Sequence, residues 1–191
     1  MSRLPVARRV LLLSLLPSLL LGACAHTPRA DVAALPRALA PVAAVSPRSA
    51  SQVIHAAYGD RAITLRTALQ VDNAVIKLVG VTATGQRLFT ASYDGQSVSA
   101  ERGVFVPADI EPERVLADMQ LALWPLPALR EALGSAYEVS EPFAGVRRLK
   151  RSGRMVAEVH YASDDPWAGR LWLVSFEHGY SLTVDTVLET N

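Results

Sequence analysis

IEPERVLADMQLALWPLPALREALG, residues 110–134, has sustained helical periodicity and lies between two strand-rich blocks, so we expect the fold to be organised around it. Its apolar residues at i, i+1, i+4, i+7 and i+8 form one stripe: Val115, Leu116, Met119, Ala122 and Leu123. Pro112 suits the first helical position, where its missing N–H has no intrahelical partner. We expect Ile110 to pack against Val115 just before that start. The stretch therefore predicts a helix that begins at Pro112.

Two prolines divide the stretch into two helices. Pro125 disfavours helical backbone at Trp124, so we expect the first helix to end there, although a helix with two apolar faces would also accommodate Trp124. Pro127 begins a short second helix, and Gly134 ends it in the left-handed αL conformation. The pair is predicted either to be ordinary core or to sit in a curved sheet whose hollow holds something apolar.

Strand-like segments flank the helical pair on both sides. They span residues 52–58, 62–71, 74–81, 86–93 and 97–102 before it, and 137–140, 146–151, 155–161, 170–177 and 180–188 after it. Turn signals bound these segments, and apolar and polar residues alternate with a period of two. The fold class predicted is mainly β (α+β), a strongly curved antiparallel half-barrel sheet of about ten strands with two central helices.

The N-terminus carries an export signal. Three arginines precede an apolar run at residues 10–21, and Leu21-Gly22-Ala23-Cys24 follows at once. The run is shorter than the roughly 20 residues that span a bilayer. The motif resembles the lipobox of bacterial lipoproteins, which predicts cleavage before Cys24 and acylation of its thiol; the alternative is a plain secreted protein. Because Cys24 is the sole cysteine, the mature domain has no disulfide.

The expected regions are a signal peptide at 1–23, an acylated Cys24 with an Ala/Pro-rich tether at 24–50, and a lipid-binding domain at 51–191. Residues 25–50 contain nine Ala and four Pro and no aromatic residue, which is typical of an extended tether. Ala25, where enterobacterial lipoproteins kept at the inner membrane have Asp, predicts by resemblance an anchor in the outer membrane, on its periplasmic face. The near-neutral charge of the mature chain argues against nucleic acid.

The order of elements behind the lipobox resembles the LolA/LolB-like lipoprotein fold. A closer resemblance is to a family of small outer-membrane lipoproteins of undescribed function, often encoded beside aryl-polyene biosynthetic genes. It is carried by Tyr93-Asp94-Gly95, Val106-Pro107 and residues 112–125 with Trp124-Pro125, and it covers 52–188. The resemblance implies uptake of acyl chains, of lipoproteins or of a polyene lipid, from a LolA-like periplasmic carrier. LolB contacts the membrane through an exposed Leu that the loop at 81–85 lacks, so a different lipid cargo is favoured.

Ten apolar residues are candidates for the wall of a lipid-binding cavity. They are Leu65, Leu69, Leu88, Met119, Leu123, Trp124, Met155, Val159, Trp172 and Leu182. Apolar alternation is the same whether the space beyond it is filled or open, so ordinary core is the competing interpretation.

A basic cluster surrounds the predicted turn at residues 152–153. Arg147, Arg148, Lys150 and Arg151 are candidates for docking lipid head groups or an acidic carrier. The competing interpretation is a solvated hairpin tip.

No catalytic pattern accompanies these features. The sequence has no G-x-S-x-G or phosphate-binding loop, and the mature histidines are scattered without ligand spacing. We therefore expect no enzyme, no metal site and no cofactor. The function predicted is binding or acceptance of a lipid cargo for transport to the outer membrane. A scaffold lipoprotein with a closed core and a lipid hydrolase or transferase are the rivals.

Overall fold

The computed structural model describes residues 37–103 and 111–189. The strands within them are β1 (Arg48–Tyr58), β2 (Arg61–Val71), β3 (Ile76–Thr82), β4 (Arg87–Tyr93), β5 (Val98–Arg102), β6 (Glu138–Phe143), β7 (Val146–Arg151), β8 (Arg154–Tyr161), β9 (Gly169–Ser175) and β10 (Tyr180–Leu188). Helices α1 (Pro112–Leu123) and α2 (Leu126–Leu133) lie between β5 and β6, and short 3₁₀ turns occupy Val42–Ala44 and Gly134–Ala136. The predictions for Ile110, for Val106-Pro107 and for residues 1–36, including Cys24, lie outside the described residues.

The ten strands form one antiparallel sheet that does not close. Its order is β5-β4-β3-β2-β1-β10-β9-β8-β7-β6, so two five-stranded meanders join through the pairing of β1 with β10. α1 packs against β4 and β5, at one edge of the sheet, and α2 packs against β6, at the other. The predicted mainly antiparallel sheet of ten strands with two helices is confirmed.

Alternation along the strands gives the sheet an inner and an outer face. On β2, Leu65, Thr67 and Leu69 are buried, whereas the residues between them are exposed, as the period of two requires. One buried row of the inner face is polar: Gln52 Nε2 donates to Thr186 Oγ1 at 3.0 Å, and Thr67 Oγ1 donates to Gln52 Oε1 at 3.1 Å. These bonds satisfy the three side chains, so the row carries no unmet polar group.

The prolines set the helix boundaries largely as predicted. Trp124 is extended, with φ −79° and ψ 152°, because Pro125 follows it, so α1 ends at Leu123. α2 begins at Leu126, one residue before Pro127. Gly134 ends α2 with φ 56° but ψ −151°. The αL prediction is therefore wrong in ψ, since the chain passes into the 3₁₀ turn Gly134–Ala136 before it reaches β6.

Residues 37–47, here called the strap, pack beside α1. Ala40 N–H donates to Gln120 Oε1 at 2.7 Å, and Gln120 Nε2 donates to the Ala40 carbonyl at 3.1 Å. Trp124 Nε1 donates to the Pro41 carbonyl at 3.1 Å. Because these side chains satisfy its backbone and its small apolar residues fit the interior, the strap is ordered. The prediction of a tether through residue 50 is wrong from residue 37 onward.

Neither α1 nor α2, nor any other helical segment in the described ranges, has the length and hydropathy to cross a bilayer.

Candidate functional site

The inner face divides into two regions, and the first is the packed half, built around the C-terminal end of α1. The rings of Trp124 and Trp167 pack with centroids 5.8 Å apart, and Trp167 Nε1 donates to the Leu123 carbonyl at 3.0 Å. The Tyr161 hydroxyl donates to the Ala122 carbonyl at 2.6 Å. Burial raises the pKa of Tyr161 to about 12, so this donor keeps its proton at neutral pH. Side chains from β8 and from the loop between β8 and β9 thus satisfy the carbonyl groups that end the helix.

Arg147 completes the packed half. Its Nη1 donates to the Leu121 carbonyl at 2.7 Å and to the Trp124 carbonyl at 2.8 Å, and its Nη2 donates to Glu141 Oε1 at 2.6 Å. The side chain is only 4% exposed. The prediction that Arg147 docks head groups is therefore wrong, because alternation on β7 points it to the inner face, where it caps α1.

The other predicted docking residues do not form an uncompensated basic patch. Arg148 Nε donates to Glu158 Oε2 at 2.6 Å on the outer face, and the bonds from Arg148 and His160 lower the pKa of Glu158. Arg151 pairs with Glu177, and Lys150 lies half-buried between the two arginines. A glutamate thus offsets the charge of Arg148 and another offsets that of Arg151.

The packed half has little free space. Between α1, α2 and β7 lies a void of ≈ 10 Å³, bordered by Gln120, Leu129 and Leu149. That is room for about one water molecule. The helices therefore fill the inner face here, as ordinary core.

The second region, the open half, lies at the N-terminal end of α1. It encloses a hollow of ≈ 890 Å³, bounded by β1, β2 and β10, by Phe89 of β4 and by Val115 of α1. The side chains of its floor are apolar: Ile54, Ala56, Ala57, Ala62, Ile63, Leu65 and Leu182. A hollow of this size with an apolar floor is large enough for a small ligand or a lipid chain.

Gly80 shapes one side of the hollow. A Cβ built on Gly80 would lie 2.4 Å from Phe89 Cε1, so the ring occupies the space that any other residue would need. The two residues are register partners on β3 and β4, at a β-bulge. The missing side chain of Gly80 therefore lets Phe89, which is 1% exposed, serve as part of the wall.

One wall of the hollow is polar. Asp118 accepts hydrogen bonds from the Tyr180 hydroxyl and from Arg37 Nη2. Burial and the nearby Asp118 carboxylate raise the pKa of Tyr180. Burial acts to lower the pKa of Arg37, but the Asp118 carboxylate more than offsets it and the pKa is raised. The cluster is therefore an Arg37–Asp118 ion pair beside a protonated tyrosine.

His178 lies beside that wall. Its ring stacks on Tyr180, with centroids 6.1 Å apart and an interplanar angle of 11°. Burial, and then the positive charge of Arg114, lower the pKa of His178, so its imidazole is neutral at pH 7. The rim further includes the Arg114–Glu111 ion pair at 2.5 Å and the exposed ring of Tyr58.

The ten predicted cavity residues separate into four groups. Leu65 and Leu182 line the hollow. Buried away from it are Leu69, Leu88, Met119, Leu123, Trp124 and Val159. Met155 is half-buried and does not border the hollow. Trp172 is 41% exposed, so its prediction as a wall residue is wrong: Leu171 and Leu173 take the inner positions and Trp172 faces outward.

Sequence reasoning missed several residues of the hollow. Among them are Ile54, Phe89, Asp118, His178 and Tyr180. The alternation on β2 could have identified Ile63, since it shares a face with Leu65. The alternation does not indicate, however, where the inner face is packed and where it is open. Among the described residues, no three potential ligands come together to hold a metal ion.

Comparisons with known proteins complete the description. Residues 49–188 match the model of a family described as Protein of unknown function (DUF3261). No curated protein matches the chain. The crystal structure of the LolA superfamily protein NE2245 from Nitrosomonas europaea is similar over 76% of this chain and 86% of that one, with 9% identity and a TM-score of 0.47. The crystal structure of a DUF1329 family protein from Desulfovibrio piger is similar over 78% of this chain and 88% of that one, with 10% identity and a TM-score of 0.36.

Proposed function

The chain belongs to the DUF3261 family of proteins of unknown function, and we propose that it binds the apolar chain of a lipid in the hollow beside α1. The observation that carries the proposal is the hollow itself, ≈ 890 Å³ with an apolar floor. Ligand sites of roughly 300–1,000 Å³ with mainly apolar walls and a few polar groups are typical of small-molecule binding.

The energetics favour reversible binding. Covering about 300 Å² of ligand chain contributes roughly 7 kcal/mol at about 25 cal/mol per Å². The loss of translational and rotational freedom on association offsets part of that gain. Binding of this strength suits a protein that takes up a lipid and releases it again, and it needs no bond to be made or broken.

The cellular setting is part of the same proposal. The lipobox that ends at Cys24, with Ala25 after it, supports an acylated protein on the periplasmic face of the outer membrane. The cargo would be an acyl or polyene lipid, or the acyl chains of a lipoprotein, delivered by a LolA-like periplasmic carrier. A permanent anchor would keep the hollow near the membrane that receives the cargo.

A second candidate is a scaffold lipoprotein that tethers other envelope proteins and binds no lipid. The packed half favours it, since most of the predicted cavity residues, Trp124 among them, are ordinary core. The two candidates differ in whether the hollow is occupied by lipid in the cell.

Native mass spectrometry of the protein purified from the periplasm distinguishes them. The chain from residue 24 onward, with Cys24→Ser, is exported in three forms: without further change, with Ala56→Trp and with Ala68→Trp. Ala56 lies on the floor of the hollow, so an indole there occupies the ligand's space. Ala68 is exposed on the outer face and serves as the matched control.

The expected result is a lipid adduct on the parent chain and on Ala68→Trp, and none on Ala56→Trp. An empty parent chain that also takes up no added long-chain lipid would favour the scaffold. Equal adducts on both tryptophan variants would place the lipid outside the hollow and contradict the proposal.

A further inference from the structure

The negative charge on the polar wall of the hollow is already neutralised. Asp118 is 2% exposed, and its two oxygens accept bonds from Arg37 and Tyr180. The side chain of Arg37 is 10% exposed, so the pair is shielded from water. Arg37 Nη1 has no partner among the described residues, but Arg37 borders the small void between α1 and α2 and does not line the hollow. A ligand therefore meets a compensated pair and not a single charge.

The charges on the rim are also balanced. Glu111 pairs with Arg114, and Glu177 pairs with Arg151. Asp60 and Arg61 are neighbours at the start of β2, one of each sign. Within the described part of the chain, the hollow has no excess charge to replace the water that a charged head group loses on entry. Such a loss is costly unless an opposite charge compensates it.

Hydrogen-bonding capacity, in contrast, is left over. His178 Nε2 lies 3.8 Å from the Glu177 carboxylate, which is beyond hydrogen-bond distance. A neutral imidazole has one donor and one acceptor, and burial with the nearby Arg114 lowers the pKa of His178. The Tyr180 hydroxyl is already engaged, since it donates to Asp118 and accepts from the Ser175 side chain. The wall thus offers the neutral donor and acceptor of His178 beside an apolar floor.

We propose that this wall selects lipids with an uncharged, hydrogen-bonding head, such as the hydroxyl of a fatty alcohol or an acylglycerol, over fatty acids and cationic amphiphiles. The inference rests on the proposed lipid binding and names its ligand class. His178, stacked on Tyr180, binds the head. Because Arg37 and Asp118 neutralise each other, the wall has no charge to offset the desolvation of a charged head.

Displacement of a neutral apolar dye tests the selection. N-Phenyl-1-naphthylamine is bound to the Cys24→Ser chain and displaced at pH 7.5 by 1-decanol, decanoate or decylammonium, each below its micelle concentration. Decanol is expected to displace the dye at a concentration at least about tenfold lower than either ion, a difference of about 1.4 kcal/mol. Decanol is also the least water-soluble of the three competitors. The decisive readout is therefore how the ratios of their dye-displacing concentrations change in charge variants.

Two variants unbalance the pair in opposite directions. Asp118→Asn leaves Arg37 uncompensated, so the apparent affinity for decanoate rises about tenfold relative to that for decanol. Arg37→Met leaves Asp118 uncompensated, so decylammonium gains by a similar factor. Asp185→Asn, whose carboxylate pairs with Arg170 on the outer face, leaves every ratio unchanged. Circular dichroism checks that each variant is folded.

His178→Phe keeps the stack on Tyr180 and removes only the ring nitrogens, so it tests the head contact should the charge variants fail to fold. In His178→Phe, the affinity for decanol is expected to fall about fivefold relative to that for the dye. His160→Phe, on the outer face, is expected to have no effect. Ratios unchanged in the folded variants, with dye still bound, would overturn the inference and leave lipid binding intact. A parent chain that binds neither dye nor decanol would overturn the proposed function itself.

Discussion

The packed half and the open half share one sheet and one helix, yet one is filled and the other is hollow. In the packed half, large side chains face α1, and Arg147, Tyr161 and Trp167 all donate to its last carbonyl groups. In the open half, the hollow separates Ala56, Ile63 and Leu65 of the sheet from Val115 of the same helix. The two halves show that alternation marks the inner face, but that the side chains meeting across it decide where space is left for a ligand.

The largest effect on stability is expected at Arg147, in the packed half. Arg147→Met removes a buried cation that caps α1 and leaves the Leu121 and Trp124 carbonyls without a donor, which costs about 2–5 kcal/mol of unfolding free energy. Arg148→Met, one residue along on the outer face, costs about 0–1 kcal/mol. Urea denaturation measures both. Similar losses for the two variants would show that Arg147 is not a structural part of the packed half.

Two leucines on β2 compare the halves directly. Leu69→Ala, in the packed half, is expected to lower the free energy of unfolding by about 2–5 kcal/mol, because it leaves a cavity. Leu65→Ala costs less, since the hollow already deprives Leu65 of contacts on one side. Chemical denaturation of the pair gives the difference. A larger loss at Leu65 would mean that the open half is packed in solution.

Gly80→Ala links stability to the hollow. The added methyl would meet the Phe89 ring, so the ring must shift, at a cost of about 1–3 kcal/mol. The same shift changes the wall, and the affinity for an apolar dye should fall. Gly153→Ala, in the turn between β7 and β8, is a control with free space at its Cβ but a positive φ of 76°, so it reports backbone strain without a clash. Equal dye binding by Gly80→Ala and the parent would contradict the role of Phe89.

The smallest expected effect is a dependence on alkaline pH that originates in the packed half. The pKa of Tyr161 is raised to about 12 in the folded protein, above the usual value of 10.0. Its contribution to stability is therefore complete below pH 10 and is lost as the pH rises towards 12, where the unfolded chain is already ionised. Tyr161→Phe should flatten the fall of the urea midpoint over this range. An unchanged slope would place the titration elsewhere.

The order and type of the elements were predictable because the periods of two and 3.6 are local properties of the chain. The proline signals at Pro112 and Pro125 are local too, and both boundaries agree with the structure. The strap was missed since its Ala- and Pro-rich composition is that of a tether, and only its distant bonds to Gln120 and Trp124 order it.

The site was less predictable for equally physical reasons. Trp172 lies in the run LWLV, where both faces of the strand are apolar and the phase is ambiguous. Arg147 lies in a basic run whose alternation sends one guanidinium inward. Asp118 lies off the apolar stripe of α1, and nothing in the sequence indicated that Arg37, 81 positions earlier, would bury it.

A crystal structure grown with 10-bromo-1-decanol would show whether the hollow binds a lipid chain, because anomalous scattering locates the bromine. We expect one bromine in the hollow, against Phe89, Leu65 and Leu182, with the hydroxyl turned towards His178. A bromine found only outside the hollow, or no bound ligand at a saturating concentration, would contradict that expectation.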